Sequence, residues 1–151
     1  MTGRHEATDS PARPFHLAVP VHDLNAARAF YGGVLNCPEG RSDANWVDFN
    51  LYGHQVVCHL SAAAPAGVAG NLNLVAGDAV PVPHFGVVLP MDEWRSLGEQ
   101  LRSAGVNFLL GPRIRFAGQA GEQGTLFIQD PSRNIIEFKG LYSIGELFRA
   151  D

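Results

Sequence analysis

The chain of 151 residues has two cysteines, one lysine and no long apolar run. Cys37 and Cys58 cannot build a disulfide framework, and residues 1–13 lack the apolar stretch of a signal peptide. No apolar run approaches the roughly 20 residues that a membrane helix needs, so we expect no membrane association. A cytoplasmic, reducing location is the resulting expectation.

Basic residues are also scarce and scattered. Lys and Arg total 11 against 15 Asp and Glu, which gives a net charge of −4, and Lys139 is the only lysine. A protein that grips a phosphate backbone needs a basic stripe, and none is present. We therefore expect no nucleic-acid partner.

Glycine and proline are abundant, with 17 and 10 residues, which favours the tight turns of a sheet-rich protein. The length predicts one domain. We assign residues 1–13 to a disordered tail, residues 14–140 to the domain and residues 141–151 to a short terminal helix and tail. Residues 61–82, rich in Ala, Gly and Pro, are predicted to form a connector or lid between modules at about 14–60 and 83–140.

The same order of elements occurs in both modules, each of which reads strand, helix and then a run of strands. His16-Leu-Ala-Val opens the first and His84-Phe-Gly-Val the second. Asp23 is a candidate cap for the first helix. The predicted later strands are Trp46–Leu51, His54–Leu60, Val106–Leu110, Thr125–Gln129 and Asn134–Lys139. This organisation predicts an α+β fold of two tandem βαβββ modules that form a half-open mixed β-barrel around a shared cleft.

Strand alternation predicts which side chains face that cleft. Phe15, Leu17 and Val19 form the large apolar set that packs beneath the first helix, so His16 and Ala18 point the other way. By the same reasoning His84 faces the cleft from the second module. Glu137, between Ile136 and Phe138 of the last strand, joins it there.

Two imidazoles and one carboxylate on one concave surface suit a divalent metal, because they leave coordination positions open for substrate. His16, His84 and Glu137 are therefore the predicted metal ligands. The alternative is a cleft without a metal that binds its ligand by shape alone.

Two longer motifs are His16-Leu-Ala-Val followed by Asp23-Leu-Asn-Ala-Ala-Arg-Ala-Phe-Tyr31, and Asp130-Pro-Ser-Arg-Asn-Ile-Ile-Glu-Phe138. They resemble the vicinal-oxygen-chelate superfamily, which includes glyoxalase I, extradiol dioxygenases, and fosfomycin- and bleomycin-resistance proteins. The resemblance covers about residues 14–140, and Arg133 stands where the family usually has glycine. It implies the same three ligands, His16, His84 and Glu137. Two histidines and a glutamate are typical of the fosfomycin enzymes and extradiol dioxygenases, whereas glyoxalase I commonly has a fourth protein ligand.

Aligning Gly53 with Arg133 places Val57 opposite Glu137, so no fourth ligand is expected and glyoxalase I is disfavoured. The alignment puts Gln55 and His59 on the cleft face. His59 is a candidate acid or base and Gln55 a candidate to orient substrate or a metal-bound water, unless His59 merely ends its strand in solvent. A slip of one residue would turn His54 and Cys58 to the cleft instead.

Arg113 and Arg115 have two interpretations. They could clamp an anionic substrate at the mouth of the cleft, or they could be ordinary surface residues.

Together these observations predict a metal-dependent enzyme that acts on a small oxygen-chelating substrate. Extradiol-dioxygenase chemistry on Fe(II) is favoured, with Zn, Mn or Ni possible as the metal. The alternatives are a lyase, isomerase or transferase of the same superfamily, or a non-catalytic resistance protein that binds a small molecule. Because a half-open sheet leaves edges to cover, we expect a homodimer.

Overall fold

The first module forms a four-stranded mixed sheet in the computed structural model, which describes residues 13–63 and 71–150. Its elements are β1 (His16–Val21), α1 (Leu24–Ala27), a π-helical stretch (Arg28–Val34) that continues α1, β2 (Glu39–Asp43), β3 (Trp46–Leu51) and β4 (His54–Leu60). The strands lie in the order β1-β4-β3-β2, with β1 parallel to β4 and the other neighbours antiparallel.

The second module follows a separate two-stranded hairpin. The elements are β5 (Asn71–Val75), β6 (Asp78–Val82), β7 (Phe85–Pro90), α2 (Met91–Ser103), β8 (Leu110–Arg115), β9 (Gln123–Gln129), β10 (Ile135–Leu141) and a 3-10 helix (Ile144–Glu146). Strands β5 and β6 form the hairpin, and the second module repeats the topology of the first in a sheet of order β7-β10-β9-β8. The predicted α+β class with two βαβββ modules is confirmed, and the sheets are not closed into a barrel.

The strand register of the two sheets is equivalent. Ala18 of β1 pairs with Val57 of β4, and Gly86 of β7 pairs with Glu137 of β10. Gly53 and Arg133 occupy matching turns, and both have positive φ, at 91° and 70°. Val57 therefore occupies in the first sheet the position that Glu137 occupies in the second, as the sequence alignment predicted.

One hydrophobic core serves both modules. It joins Val19 and Phe49 of the first sheet to Leu126 and Phe138 of the second. We call the opposite face of each sheet, which carries His16 in the first module and Glu137 in the second, its ligand face. Because both sheets turn their other faces to the same core, the two ligand faces point away from that core.

Phe15 was predicted to pack beneath the first helix, and this is wrong. Its side chain is 64% exposed, and it precedes β1 rather than belonging to it. The backbone N–H of Phe15 donates to Nδ1 of His54 over 2.8 Å, and the Phe15 ring lies outside the core. His54 thus lies beside the strand end and not on the ligand face.

Asp130 connects the two modules by buried hydrogen bonds. Its carboxylate accepts from the hydroxyl of Tyr31 over 2.8 Å and from the backbone N–H groups of Ser132 and Asn134. Burial, and then the neighbouring Asp130 charge, raise the pKa of Tyr31 well above its usual range. The Tyr31 hydroxyl is therefore held as a donor between the modules.

Trp94 of α2 fixes the helix against the second sheet. Its indole Nε1 donates to the carbonyl of Phe138 over 3.0 Å. A Cβ added at Gly124 or Gly140 would come within 2.8 Å of the indole ring or of the Trp94 Cβ, so glycine at both positions lets the helix approach. The Trp94 side chain is 4% exposed.

Other local predictions had mixed outcomes. Asp23 does cap the first helix, because its side chain accepts from the backbone N–H of Ala26 over 2.8 Å. Residues 106–109 are not a strand, since β8 begins only at Leu110. Most of the tail predicted over residues 1–13 lies outside the described residues. No helix in the described ranges is long and apolar enough to cross a membrane.

Strands β2, β5 and β6 were not predicted. Strand β2 is exposed throughout and lacks apolar alternation. The β5–β6 hairpin lies within the predicted connector, and Ala76 and Gly77 make its turn with φ values of 47° and 86°. Two consecutive residues with positive φ are typical of a type I′ hairpin turn. The alternating Asn-Leu-Asn-Leu run before that turn was the available signal.

Candidate metal centre

His84 and Glu137 lie side by side in the second module. Nε2 of His84 is 2.9 Å from Oε2 of Glu137. Nδ1 of His84 lies 2.6 Å from the carbonyl oxygen of Pro81, which can only accept, so Nδ1 carries a proton. The ring is thereby held with Nε2 directed at the carboxylate.

Glu137 is 5% exposed, and polar groups of β8 and β9 surround its second oxygen. The hydroxyl of Thr125 donates to Oε1 over 2.8 Å, and Nη1 of Arg115 lies 3.6 Å from the same oxygen. Oε1 is thus engaged by the protein, and Oε2 is the oxygen turned to His84.

The protonation of this pair follows from these contacts. Burial alone would raise the pKa of Glu137, but hydrogen bonds from His84 and Thr125 outweigh burial and hold that pKa below its ordinary value. The hydrogen bond to Glu137 raises the pKa of His84 against an opposing contribution from burial. These contacts favour a protonated imidazole at His84 and an ionised carboxylate at Glu137, and a bound cation would replace the Nε2 proton.

His16 lies on the ligand face of the first sheet and is exposed. Its Nδ1 is 2.8 Å from Oε1 of Gln55, whose Nε2 donates to Oδ2 of Asp48 over 2.9 Å. The Asp48 carboxylate can only accept, so the Gln55 amide has one orientation and His16 must donate through Nδ1. As in His84, Nε2 is then the nitrogen available to a ligand.

The predicted ligands are only partly brought together. His84 and Glu137 are in contact, whereas His16 belongs to the other sheet. Within residues 13–63 and 71–150 of one chain, no three His, Cys, Asp or Glu side chains are grouped so as to hold a metal ion. One described chain therefore offers two adjacent candidate ligands, His84 and Glu137, and a separate third candidate, His16.

His59 is exposed at the far end of the same face as His16. It pairs with Pro20, whereas Gln55 pairs with His16. Four residues of strand separate His59 from Gln55, roughly 13 Å. Gln55 is therefore the residue of the two that touches a candidate ligand.

The two candidate arginines are bound within the protein. Arg115 is 5% exposed, and its Nε donates to Oδ2 of Asp78 over 3.1 Å. Arg113 also pairs with Asp78, but 47% of its side chain is exposed. Sequence reasoning missed Asp48, Thr125 and Asp78. For Asp48, the one signal was its position between Val47 and Phe49 in a predicted strand.

The residues present fit a divalent metal. Two ligand atoms that subtend a right angle at a metal about 2.1 Å away are roughly 3 Å apart, close to the spacing of Nε2 and Oε2. Metal-ligating histidines almost always donate their other ring N–H to a backbone carbonyl, a carboxylate or water. His84 donates to the backbone carbonyl of Pro81, and His16 donates to the side-chain carbonyl of Gln55. A surface cavity of about 250 Å³ lies beside the pair, lined by second-module residues that include His84, Val88, Glu137 and Lys139.

Comparison with known proteins identifies the class to which this fold belongs. The family model described as the Glyoxalase/Bleomycin resistance protein/Dioxygenase superfamily matches residues 13–138. The chain belongs to this superfamily. No curated protein sequence matches the chain.

Solved structures show the same fold. A glyoxalase/bleomycin resistance protein/dioxygenase from Alicyclobacillus acidocaldarius is 29% identical with a TM-score of 0.77, over 93% of this chain and 100% of that one. The fosfomycin resistance protein FosX from Listeria monocytogenes is 18% identical with a TM-score of 0.66, over 91% and 98% of the two chains. An integron cassette protein from Vibrio cholerae is 20% identical with a TM-score of 0.58, over 90% and 99%.

Proposed function

We propose that this protein is a metal-dependent enzyme that acts on a small substrate bearing adjacent oxygen atoms. The observation that carries the proposal is the His84–Glu137 pair, with Nε2 and Oε2 2.9 Å apart and the other atoms of both groups held by the protein. A divalent metal held there would act as a Lewis acid that stabilises negative charge on substrate oxygen. His84 and Glu137 would fix its position, and Gln55 would hold His16 in a ligating orientation.

We propose further that the third ligand, His16, comes from a second copy of the chain in a homodimer. Both ligand faces point away from the core of their own chain, and His16 is exposed with Nε2 available. A second copy that places its first ligand face over the His84–Glu137 pair would complete a set of two histidines and one carboxylate.

Complementation between two defective chains tests this assignment. His16→Ala and Glu137→Ala homodimers should each lack tight metal binding. A heterodimer of the two variants, co-expressed with different tags, should regain one site, because one chain supplies His16 and the other supplies His84 and Glu137. Metal content is measured by elemental analysis. A heterodimer that stays metal-free would refute the shared site. Wild-type metal content in both variant homodimers would refute the ligand set.

Within the superfamily we favour extradiol-type dioxygenase chemistry on Fe(II). A site of two histidines and one carboxylate leaves an open face that suits both a chelating substrate and dioxygen. The test is anaerobic loading with Fe(II), followed by oxygen uptake in the presence of a panel of catechols. Uptake that depends on Glu137 supports the dioxygenase. Metal binding without oxygen uptake favours a lyase, isomerase or transferase, and a chain that takes up no metal favours a small-molecule-binding resistance protein.

A cytoplasmic location is part of the same proposal. Cys37 and Cys58 are both buried and unpaired. Burial raises the pKa of Cys37 to about 11 and that of Cys58 to about 12, so neither thiol is poised to react. Free, inert cysteines fit a reducing compartment.

A further inference from the structure

The β5–β6 hairpin packs on the ligand face of the second sheet. Val80 of β6 is 3% exposed and forms a small hydrophobic cluster with Phe127 and Ile135. Phe127 pairs directly with Glu137 across β9 and β10, and Ile135 lies two residues before Glu137 on the same face. The hairpin thus lies beside the candidate metal centre.

A buried arginine connects the hairpin to Glu137. Arg115 of β8 donates through Nε to Oδ2 of Asp78, the first residue of β6, and its Nη1 lies 3.6 Å from Oε1 of Glu137. The guanidinium also lies 5.8 Å from the centre of the Phe127 ring. Asp78, Arg115 and Glu137 are each no more than 7% exposed, so these contacts are shielded from water.

We propose that Arg115 is a positioning residue for Glu137, and that Asp78 of the hairpin holds it in place. Arg115 and Thr125 both engage Oε1, so the carboxylate presents Oε2 alone and acts as a ligand through one oxygen. The hairpin is then part of the metal centre and not a passive connector. This inference rests on the metal site proposed above.

Burial of Arg115 carries a cost in stability. Its Nη2 is buried and has no hydrogen-bond partner among the described residues. A buried charge with an unmet donor is costly, and apolar replacements of buried ion pairs are often neutral or stabilising. Its geometry toward Glu137 supplies a reason for its presence that stability does not.

The sign of one mutational effect separates positioning from simple charge. Removing the positive charge of Arg115 makes the site more negative, which by electrostatics alone would tighten binding of a cation. Removing a group that orients the carboxylate would loosen binding, as loss of the partners of metal ligands typically does, by ~10- to 100-fold. The two explanations therefore predict opposite changes.

The experiment is a Co²⁺ titration of the full-length protein, followed by calorimetry and by the visible absorption of the bound ion. Arg115→Gln should weaken Co²⁺ binding by ~10-fold or more and alter the spectrum. Arg113→Gln is the matched control, since Arg113 also pairs with Asp78 but forms no ion pair with Glu137 among the described residues. The Co²⁺ affinity of this variant should differ from that of the wild type by less than about 3-fold. Arg115→Lys keeps the charge but cannot bridge two carboxylates, so Co²⁺ binding by this variant should also be weak.

Unchanged or tighter Co²⁺ binding by Arg115→Gln, with wild-type binding intact, overturns this inference alone. Failure of the wild-type protein to bind Co²⁺ overturns the metal centre itself, and the inference with it. Should Arg115→Gln not fold, Asp78→Asn tests the same anchor from the hairpin. That variant should weaken Co²⁺ binding and speed proteolytic cleavage within residues 71–82, and wild-type values for both would overturn the proposal.

Discussion

The two ligand faces share one backbone plan and differ in chemistry. In the first, Val57 occupies the central position and His16 is exposed beside Gln55. In the second, Glu137 occupies that position and is buried among His84, Thr125 and Arg115. A duplicated unit can therefore keep its register while one copy has a carboxylate at this position and the other has an apolar side chain. The asymmetry explains why two equivalent sheets would hold one type of metal site and not two.

The most direct test of this difference places the residue type of the first sheet, valine, at position 137 of the second. Glu137→Val should remove tight metal binding, because a single histidine remains on that face. The metal content measured by elemental analysis should fall from about one ion per chain to none. Glu137→Gln should be milder, since its amide oxygen still coordinates but carries no charge. Full metal content in both variants would disprove the assignment.

A second contrast concerns the small residues that face Val57 and Glu137. A Cβ added at Gly86 would lie 1.5 Å from the carbonyl oxygen of Glu137, whereas Ala18 occupies the equivalent place in the first sheet. Gly86→Ala should cost ~3 kcal/mol or more in the free energy of unfolding, because β7 and β10 must separate. Ala18→Gly should cost only about 0.5–1 kcal/mol. Denaturant unfolding measures both, and equal costs would contradict the close approach of β7 to β10.

Gln55 and His59 share the first ligand face but differ in their contacts. Gln55→Ala should weaken metal binding by about 10-fold, because His16 loses the group that orients it. His59→Gln should leave metal affinity unchanged. If His59 nevertheless transfers a proton during turnover, kcat should fall by ~10²-fold with metal content intact. Unaltered kcat would leave His59 as a strand-end residue in solvent.

The smallest expected difference lies in the matching turns. Arg133 is exposed and holds φ at 70°, where a residue with a Cβ is strained by about 1 kcal/mol. Arg133→Gly should therefore raise the free energy of unfolding slightly, by up to about 1 kcal/mol, while Gly53→Ala should lower it by a similar amount. Thermal melts of the two variants should move in opposite directions, and parallel shifts would count against the equivalence of the turns.

Sequence alternation was sufficient to predict the faces of the regular strands. The period of two placed Glu137 opposite the core, and the repeated turns placed Val57 in the equivalent position. The rule does not hold for Phe15, because this residue precedes β1. The groups around Glu137 could not be predicted, because Thr125, Arg115 and Asp78 meet it across strands and from a hairpin distant in sequence. The separation of His16 from His84 depends on how the modules pack, which alternation within a strand does not encode.

The packing of Trp94 has a spectroscopic consequence. The chain has two tryptophans, one in each module, and Trp94 is 4% exposed while Trp46 of β3 is partly accessible. A buried indole that donates to the strand carrying Glu137 should emit at shorter wavelength than one in contact with water. Trp46→Phe would leave Trp94 as the sole emitter, so the fluorescence of a single residue would follow the opening of the second sheet separately from that of the first.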